Sequence, residues 1–147
     1  MTELFSEKAI KEKVKELGQR IRADYIYKPL SLVLATADAS FFLVDLAREL
    51  DAGMVQMHAY PGTCIQAQGQ HMLMVSLTAP RDISEAFRGQ AESIKTISLL
   101  STSQYPSDYT GFQSDDLPGG TWVGYGLADH NNQYSNLKFI ATLSQPE

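Results

Sequence analysis

The chain has little cysteine, little basic charge and no long apolar run, and each shortage excludes something. Cys64 is its only cysteine, which rules out an internal disulfide and a cysteine-cluster zinc site; the lone thiol reads as an incidental or structural residue. No stretch reaches the ~18 apolar residues of a membrane span. Met1-Thr2-Glu3-Leu4-Phe5 lacks the basic flank and apolar core of a secretory signal, so a cytoplasmic location is the default expectation. Lys and Arg number 12 against 17 Asp and Glu, a formal net charge of -5. Nucleic acid needs a basic face and is not an expected partner. A single phosphate group is not excluded, because one helix N-terminus holds it locally.

Catalytic signatures are also missing. There is no Walker-type glycine loop, no Rossmann glycine spacing and no Gly-x-Ser-x-Gly elbow. His58, His71 and His130 are scattered rather than set at metal-ligand spacing. The first two fall on expected strands and read as core-edge or surface residues. Asp115-Asp116 sits in a Pro/Gly-rich loop, where solvated turn acids are the norm.

What remains is an ordinary globular composition: 147 residues, 44% hydrophobic and 20% charged, the size of one domain. Ile10, Val14, Leu17 and Ile21 recur at helical spacing and predict a helix over 6–24 with Ser6 as N-cap. Residues 30–35 form a short apolar run, as in a strand buried on both faces. A tight turn at 36–38 leads into an apolar helix over 39–50. Further strands are expected at 54–59, 71–75 and 94–100, with a short helix over 82–88 capped by Asp82. Two short strands are expected at 108–112 and 121–125, and a last one at 137–143. Strands alternating with helices predict an α/β fold with a largely parallel sheet. In such a sheet the ligand crevice lies beyond the carboxyl ends of the strands, here the loops 36–39, 59–63, 76–82 and 127–136.

Glu16-Leu17-Gly18-Gln19-Arg20-Ile21, the strand at 30–35 and Ser40-Phe41-Phe42-Leu43-Val44-Asp45-Leu46-Ala47-Arg48 resemble the first third of the hypoxanthine(-guanine) phosphoribosyltransferases. Arg88-Gly89 and the strand at 93–100 resemble the segment after their ribose-phosphate loop. Asp108-Tyr109-Thr110-Gly111-Phe112, Trp122-Val123-Gly124-Tyr125-Gly126-Leu127 and Tyr134-Ser135-Asn136-Leu137 resemble their purine-binding hood and C-terminal strand. The resemblance implies a type I phosphoribosyltransferase-like core, a parallel sheet flanked by helices, with a small hood from the chain ends. It implies the joining of a purine base to phosphoribosyl pyrophosphate with Mg2+.

The positions that carry that chemistry are altered. Ser76 and Leu77 stand where an acid pair grips the ribose hydroxyls, and Pro80 where a carboxylate serves as base. Arg81 and Asp82 replace the Thr-Gly of the phosphate loop. Thr36-Ala37-Asp38-Ala39 replaces a pyrophosphate loop that carries a lysine. Pro106 and Ser135 replace a hood lysine and an arginine, and the mobile loop that opens at Tyr60-Pro61-Gly62-Thr63 runs almost at once into Gly69. Retained as substrate-binding candidates are Tyr60, Trp122, Val123 and Arg81. Asp129 matches a metal-binding hood aspartate across one inserted residue. The expectation is a degenerate homologue that binds a purine nucleotide or phosphate ligand, as a homo-oligomer or paired with an active relative. The alternative is a divergent active enzyme with Asp38, Asp82 or Asp129 recruited and Mg2+ retained.

Overall fold

The computed structural model describes residues 1–51, 53, 55–61, 67–78, 80, 84–87 and 89–143. Residues 54, 62–64, 81, 82 and 88, named above, lie outside them. A first strand, β1 (Thr2–Phe5), precedes α1 (Glu7–Asp24), β2 (Leu30–Leu34) and α2 (Ser40–Arg48). Then follow β3 (Val55–Ala59), β4 (His71–Ser76), β5 (Ser93–Ser101), β6 (Tyr109–Gln113), β7 (Thr121–Val123) and β8 (Ile140–Leu143). Short 3-10 turns at Ala37–Ala39 and Ser84–Phe87 complete the set.

The helix expected over 6–24 forms as read. The Ser6 hydroxyl accepts from the Ala9 N–H at 3.0 Å, satisfying one orphan donor of the first turn. Ile10, Val14, Leu17 and Ile21 make the buried stripe. Gly18 lies in the same stripe for a steric reason: a Cβ there would stand 2.6 Å from the Cβ of Glu49, so the close approach of the α2 end to α1 needs a residue without a side chain.

Five strands form a parallel sheet in the order β3-β2-β4-β5-β6. In-register pairing puts Leu30, Leu32 and Leu34 beside His71, Leu73 and Val75 on one face, and side chains alternate along each strand. That face carries the main core, with Phe42 and Leu46 of α2 and the α1 stripe packed on it. On the other face Val33, Ala35, Met72 and Met74 meet Ala67 and Phe87 among the described buried apolar residues.

Two strands differ from the sequence reading. β6 is the outer edge of the parallel sheet, not part of the hood its motif resembles. Parallel neighbours usually need a connection of a dozen or more residues, and only residues 102–108 join β5 to β6. The return works because Tyr109 pairs with Ile97, half-way along β5. Asp108 braces it, its carboxylate accepting from the Thr96 N–H at 2.8 Å. α1 seals this edge: Tyr109 donates to Asp24 at 2.7 Å, Lys13 lies 5.2 Å over the Phe112 ring, and Phe5 stacks on that ring at 4.2 Å.

The second difference is β1, a strand the mixed Thr-Glu-Leu-Phe stretch does not announce. It pairs antiparallel with β8, which pairs with β7, giving a three-stranded hood from both chain ends. The last strand begins at Ile140 rather than 137. No helix among the described residues is long and apolar enough to cross a membrane.

Candidate functional site

The carboxyl ends of the parallel strands meet the hood, and the chain folds back on itself at each of them. After β2, residues 36–39 form a helical turn. Thr36 donates to the Asp38 carboxylate at 2.6 Å, the Ala39 N–H bonds the Thr36 carbonyl at 3.1 Å, and the Ser40 hydroxyl donates to the Ala37 carbonyl at 2.7 Å. This loop presents an acid, held internally, where the family resemblance implies a lysine.

The hood is clamped onto that turn. Gly126 has φ +107° and lies against the Asp38 carbonyl so closely that a Cβ would collide with it. Beside it Tyr125, at φ 52°, is buried and donates to the Asp45 carboxylate of α2 at 2.6 Å. Burial pushes its phenol pKa well above the ordinary value, and the bond to Asp45 and the negative charge there add to the shift.

After β4 the pair Ser76 and Leu77 is buried, and Leu77, at 0% exposure, belongs to the main core. Its carbonyl accepts from the Leu100 N–H at 2.9 Å. Pro80 follows, half-buried; Arg81 and Asp82 lie outside the described residues. After β3, the Tyr60 ring packs edge-on against Phe87 at 6.2 Å, on the thinner face of the sheet, and Tyr60 is joined to Pro61 by a cis peptide bond.

The end of β5 and the loop after β6 are tied together by Asp115, whose carboxylate accepts from the Ser103 N–H at 2.9 Å and the Ser103 hydroxyl at 3.0 Å. Trp122 stands over them, its indole N–H donating to the Pro118 carbonyl at 3.0 Å. Between these parts is an open cavity of about 370 Å³ that includes Thr78, Leu100, Thr102, Tyr105, Ser114 and Trp122 in its wall. Val123, next to Trp122, points its side chain into the core at 0% exposure. Asp129 closes a hood turn: its carboxylate accepts from the N–H groups of Asn131 and Gln133, each at 2.9 Å.

Of the described candidates from the sequence, only Trp122 is in the wall of this cavity. Tyr60, Val123 and Asp129 are directed to three other places. Sequence reasoning did not find Thr78, Thr102, Tyr105 and Ser114, because single hydroxyl and aromatic residues in turn-rich segments carry no spacing signal. The Gly124-Tyr125-Gly126 triplet did carry one, since an aromatic between two glycines marks a tight turn, but its contact partners lie about 80 residues away in the chain.

No family model matches the chain. The hypoxanthine-guanine phosphoribosyltransferase of Bacillus subtilis is 25% identical over 169 aligned residues, covering 95% of this chain and 91% of that protein. The bifunctional protein TilS/HprT of Listeria innocua is 27% identical over 98% of this chain, and the chain spans 26% of that longer protein. Among solved structures, a hypoxanthine-guanine phosphoribosyltransferase from Bacillus anthracis superposes with a TM-score of 0.83 at 23% identity, over 97% of this chain and 96% of that one. The hypoxanthine phosphoribosyltransferase of Trypanosoma cruzi in complex with its product IMP superposes with a TM-score of 0.78 at 25% identity, over 97% of this chain and 89% of that one.

The chain has a type I phosphoribosyltransferase fold. Within this phosphoribosyltransferase scaffold of the hypoxanthine-guanine kind, the described loops at the strand ends carry acids and no Lys or Arg, while Arg81 lies outside the described residues. Asp38, Asp115, Asp116 and Asp129 lie on these loops, and no Lys or Arg occurs at 35–39, 60–61, 76–78, 80 or 101–137. Among the described residues no three metal-ligating side chains gather that would hold the Mg2+ the phosphoribosyltransferase reaction implies; Ser76 and Leu77 supply no carboxylate, and Oδ1 of Asp129 accepts from two backbone N–H groups.

Proposed function

We propose that the chain is a non-catalytic relative of the hypoxanthine-guanine phosphoribosyltransferases, one that keeps the scaffold and acts by binding a ligand or a partner rather than by turnover. The observation that supports this reading is Leu77: it is 0% exposed inside the main core, at a position where the sequence resemblance implies a carboxylate in the crevice. A general base is worth roughly 10²–10⁴-fold, and a positioned electrostatic group roughly 10²–10³-fold. Such groups act as a unit, so their losses do not multiply, yet with several gone together useful turnover should be lost.

The second reading, a divergent active enzyme, draws on the scaffold matching a phosphoribosyltransferase over 97% of the chain. Against recruitment, the Asp38 and Asp129 carboxylates already have partners within their own turns. Incubating the protein with hypoxanthine, phosphoribosyl pyrophosphate and Mg2+ separates the two. The expected result is no IMP by chromatography; IMP formed at enzyme-like rates overturns the proposal. Self-association is a further part of it, supported by Phe41 at 48% and Met57 at 49% exposure on α2 and β3; a single monomer peak on sedimentation at micromolar concentration removes that part.

A further inference from the structure

We infer that the cleft at the amino-terminal end of the parallel sheet, at the pole opposite the crevice, docks an acidic peptide segment of a partner protein. Tyr27 and Ile26 meet its apolar side chains, and Arg22 and Lys28 meet its carboxylates. This goes beyond the non-catalytic reading: no residue of the strand-end loops takes part, so it holds whether or not the chain turns over substrate.

Tyr27 is the deciding observation. Its side chain stands out in water at 98% exposure, yet its backbone is at φ 58°, in the left-handed region where a bulky residue is an outlier. It lies in the turn that the Lys28 N–H closes onto the Tyr25 carbonyl at 3.0 Å, at a position that glycine or asparagine takes with less strain. In the free chain the ring buries almost nothing to offset that strain. Backbone strain persists where function uses it, and this ring gains its burial only when a partner covers it. Ile26, its neighbour in the cleft wall, is 59% exposed and enlarges the same apolar surface.

The turn is fixed at both ends. Tyr25 is 3% exposed, within the main core, and the Pro29 carbonyl accepts from the His71 N–H of β4 at 2.9 Å. A surface fixed in this way loses little freedom on binding.

Charge sets the chemistry of the partner. The cleft is open, about 830 Å³, and Arg22, Lys28 and Asp51 are its charged residues. Ala52 and Met54, on either side of Gly53, are uncharged. Arg22 approaches Asp51 only to 3.7 Å, and the Asp51 side chain is 74% exposed, so that pair is loose and an incoming carboxylate can replace Asp51. Among the described residues no acid pairs with Lys28. The wall is therefore cationic in a chain of net charge -5. Acids beyond roughly 8 Å are screened at physiological salt, which leaves Arg22 and Lys28 to govern the approach. Tyrosine and arginine are also the side chains that most often dominate a protein interface.

Fluorescence anisotropy with labelled synthetic peptides tests the assignment. The acidic probe has a leucine–phenylalanine pair flanked by two glutamates on each side, and the control carries lysines in their place. The acidic peptide should bind saturably, at least about tenfold tighter than the lysine peptide, and more weakly as salt is raised. Tyr27→Asn should lose at least about tenfold in affinity while melting at or above the wild-type temperature, because asparagine accepts this φ. Lys28→Gln should weaken binding about threefold, and Asp51→Asn should tighten it by about the same factor by releasing Arg22. Absence of saturable binding, equal binding of the lysine peptide, or a Tyr27→Asn variant that binds like wild type overturns the inference. So does a lower melting temperature in Tyr27→Asn, which would make the ring a structural group, or self-association that Tyr27→Asn abolishes, which would give this face to a second copy. IMP synthesis from base and phosphoribosyl pyrophosphate sinks the non-catalytic reading and leaves this inference standing.

Discussion

Among the described residues, the two faces of the five-stranded sheet are covered unequally. On one, α1, α2 and the hood bury Leu32, Leu73, Val75 and Ile97 beneath Phe42, Leu46, Tyr125 and Ile140. On the other, Val33, Met72 and Met74 are covered by Ala67 and by Phe87 of a single 3-10 turn, and the buried Ser31, Ser76 and Ser98 share that side. Among the described residues the main apolar core therefore lies on the α1, α2 and hood side of the sheet.

Neighbouring residues of β4 test this contrast most sharply. Leu73 and Met74 are both buried, one on each face. Leu73→Ala should cost about 4 kcal/mol and Met74→Ala about 2 kcal/mol in urea unfolding, both within the usual range, because a thin layer collapses around a cavity more readily. Equal losses would break the comparison. Next in size, Gly126→Ala drives a Cβ into the Asp38 carbonyl at a positive φ and should cost about 1–3 kcal/mol. Hydrogen exchange should then quicken at the Gly126 amide, which bonds the Ser135 carbonyl at 2.8 Å, and leave β4 amides unchanged. Exchange that quickens equally throughout the sheet would mean the hood is not a separately loosened part.

The smallest effect concerns the Tyr125–Asp45 bond. Tyr125→Phe should cost about 1.5 kcal/mol, the scale of a hydrogen bond to a charged group. It should also change the alkaline response. Burial first, and then Asp45, raise the Tyr125 pKa above its ordinary 10.0 in the folded state. The folded protein therefore holds this proton while the unfolded chain releases it. The stabilisation is complete below pH 10 and declines as the pH rises above it. Tyr109, raised by burial and then by its bond to Asp24, acts in the same direction. Melting temperatures should fall above pH 10, less steeply in Tyr125→Phe; identical slopes would remove Tyr125 from the account.

Much of the architecture is readable in local pattern. The 3.6-residue stripe of α1 and the apolar runs of β2 and β4 name their elements, because periodicity reflects which side chains must leave water. The ordered motifs from Glu16 to Ile140 point to the phosphoribosyltransferase scaffold. The candidate site was less legible. Asp129 looks like a free acid in sequence, and only the folded hood shows its oxygen capping two N–H groups. Trp122 was nameable as a wall residue, but Thr78 and Tyr105 gain meaning only by standing across from it.

By itself the sequence determined the alternation of strands and helices and the surplus of acid, both of them properties of residue type and near-neighbour spacing. Tertiary structure alone decided that β6 completes the sheet after so short a return, that Gly126 closes on Asp38, and that the one tryptophan shares a cavity wall with Thr78, Thr102 and Ser114. Those outcomes depend on contacts between residues far apart in the chain, where packing and closure geometry choose the partner and no local pattern records the choice.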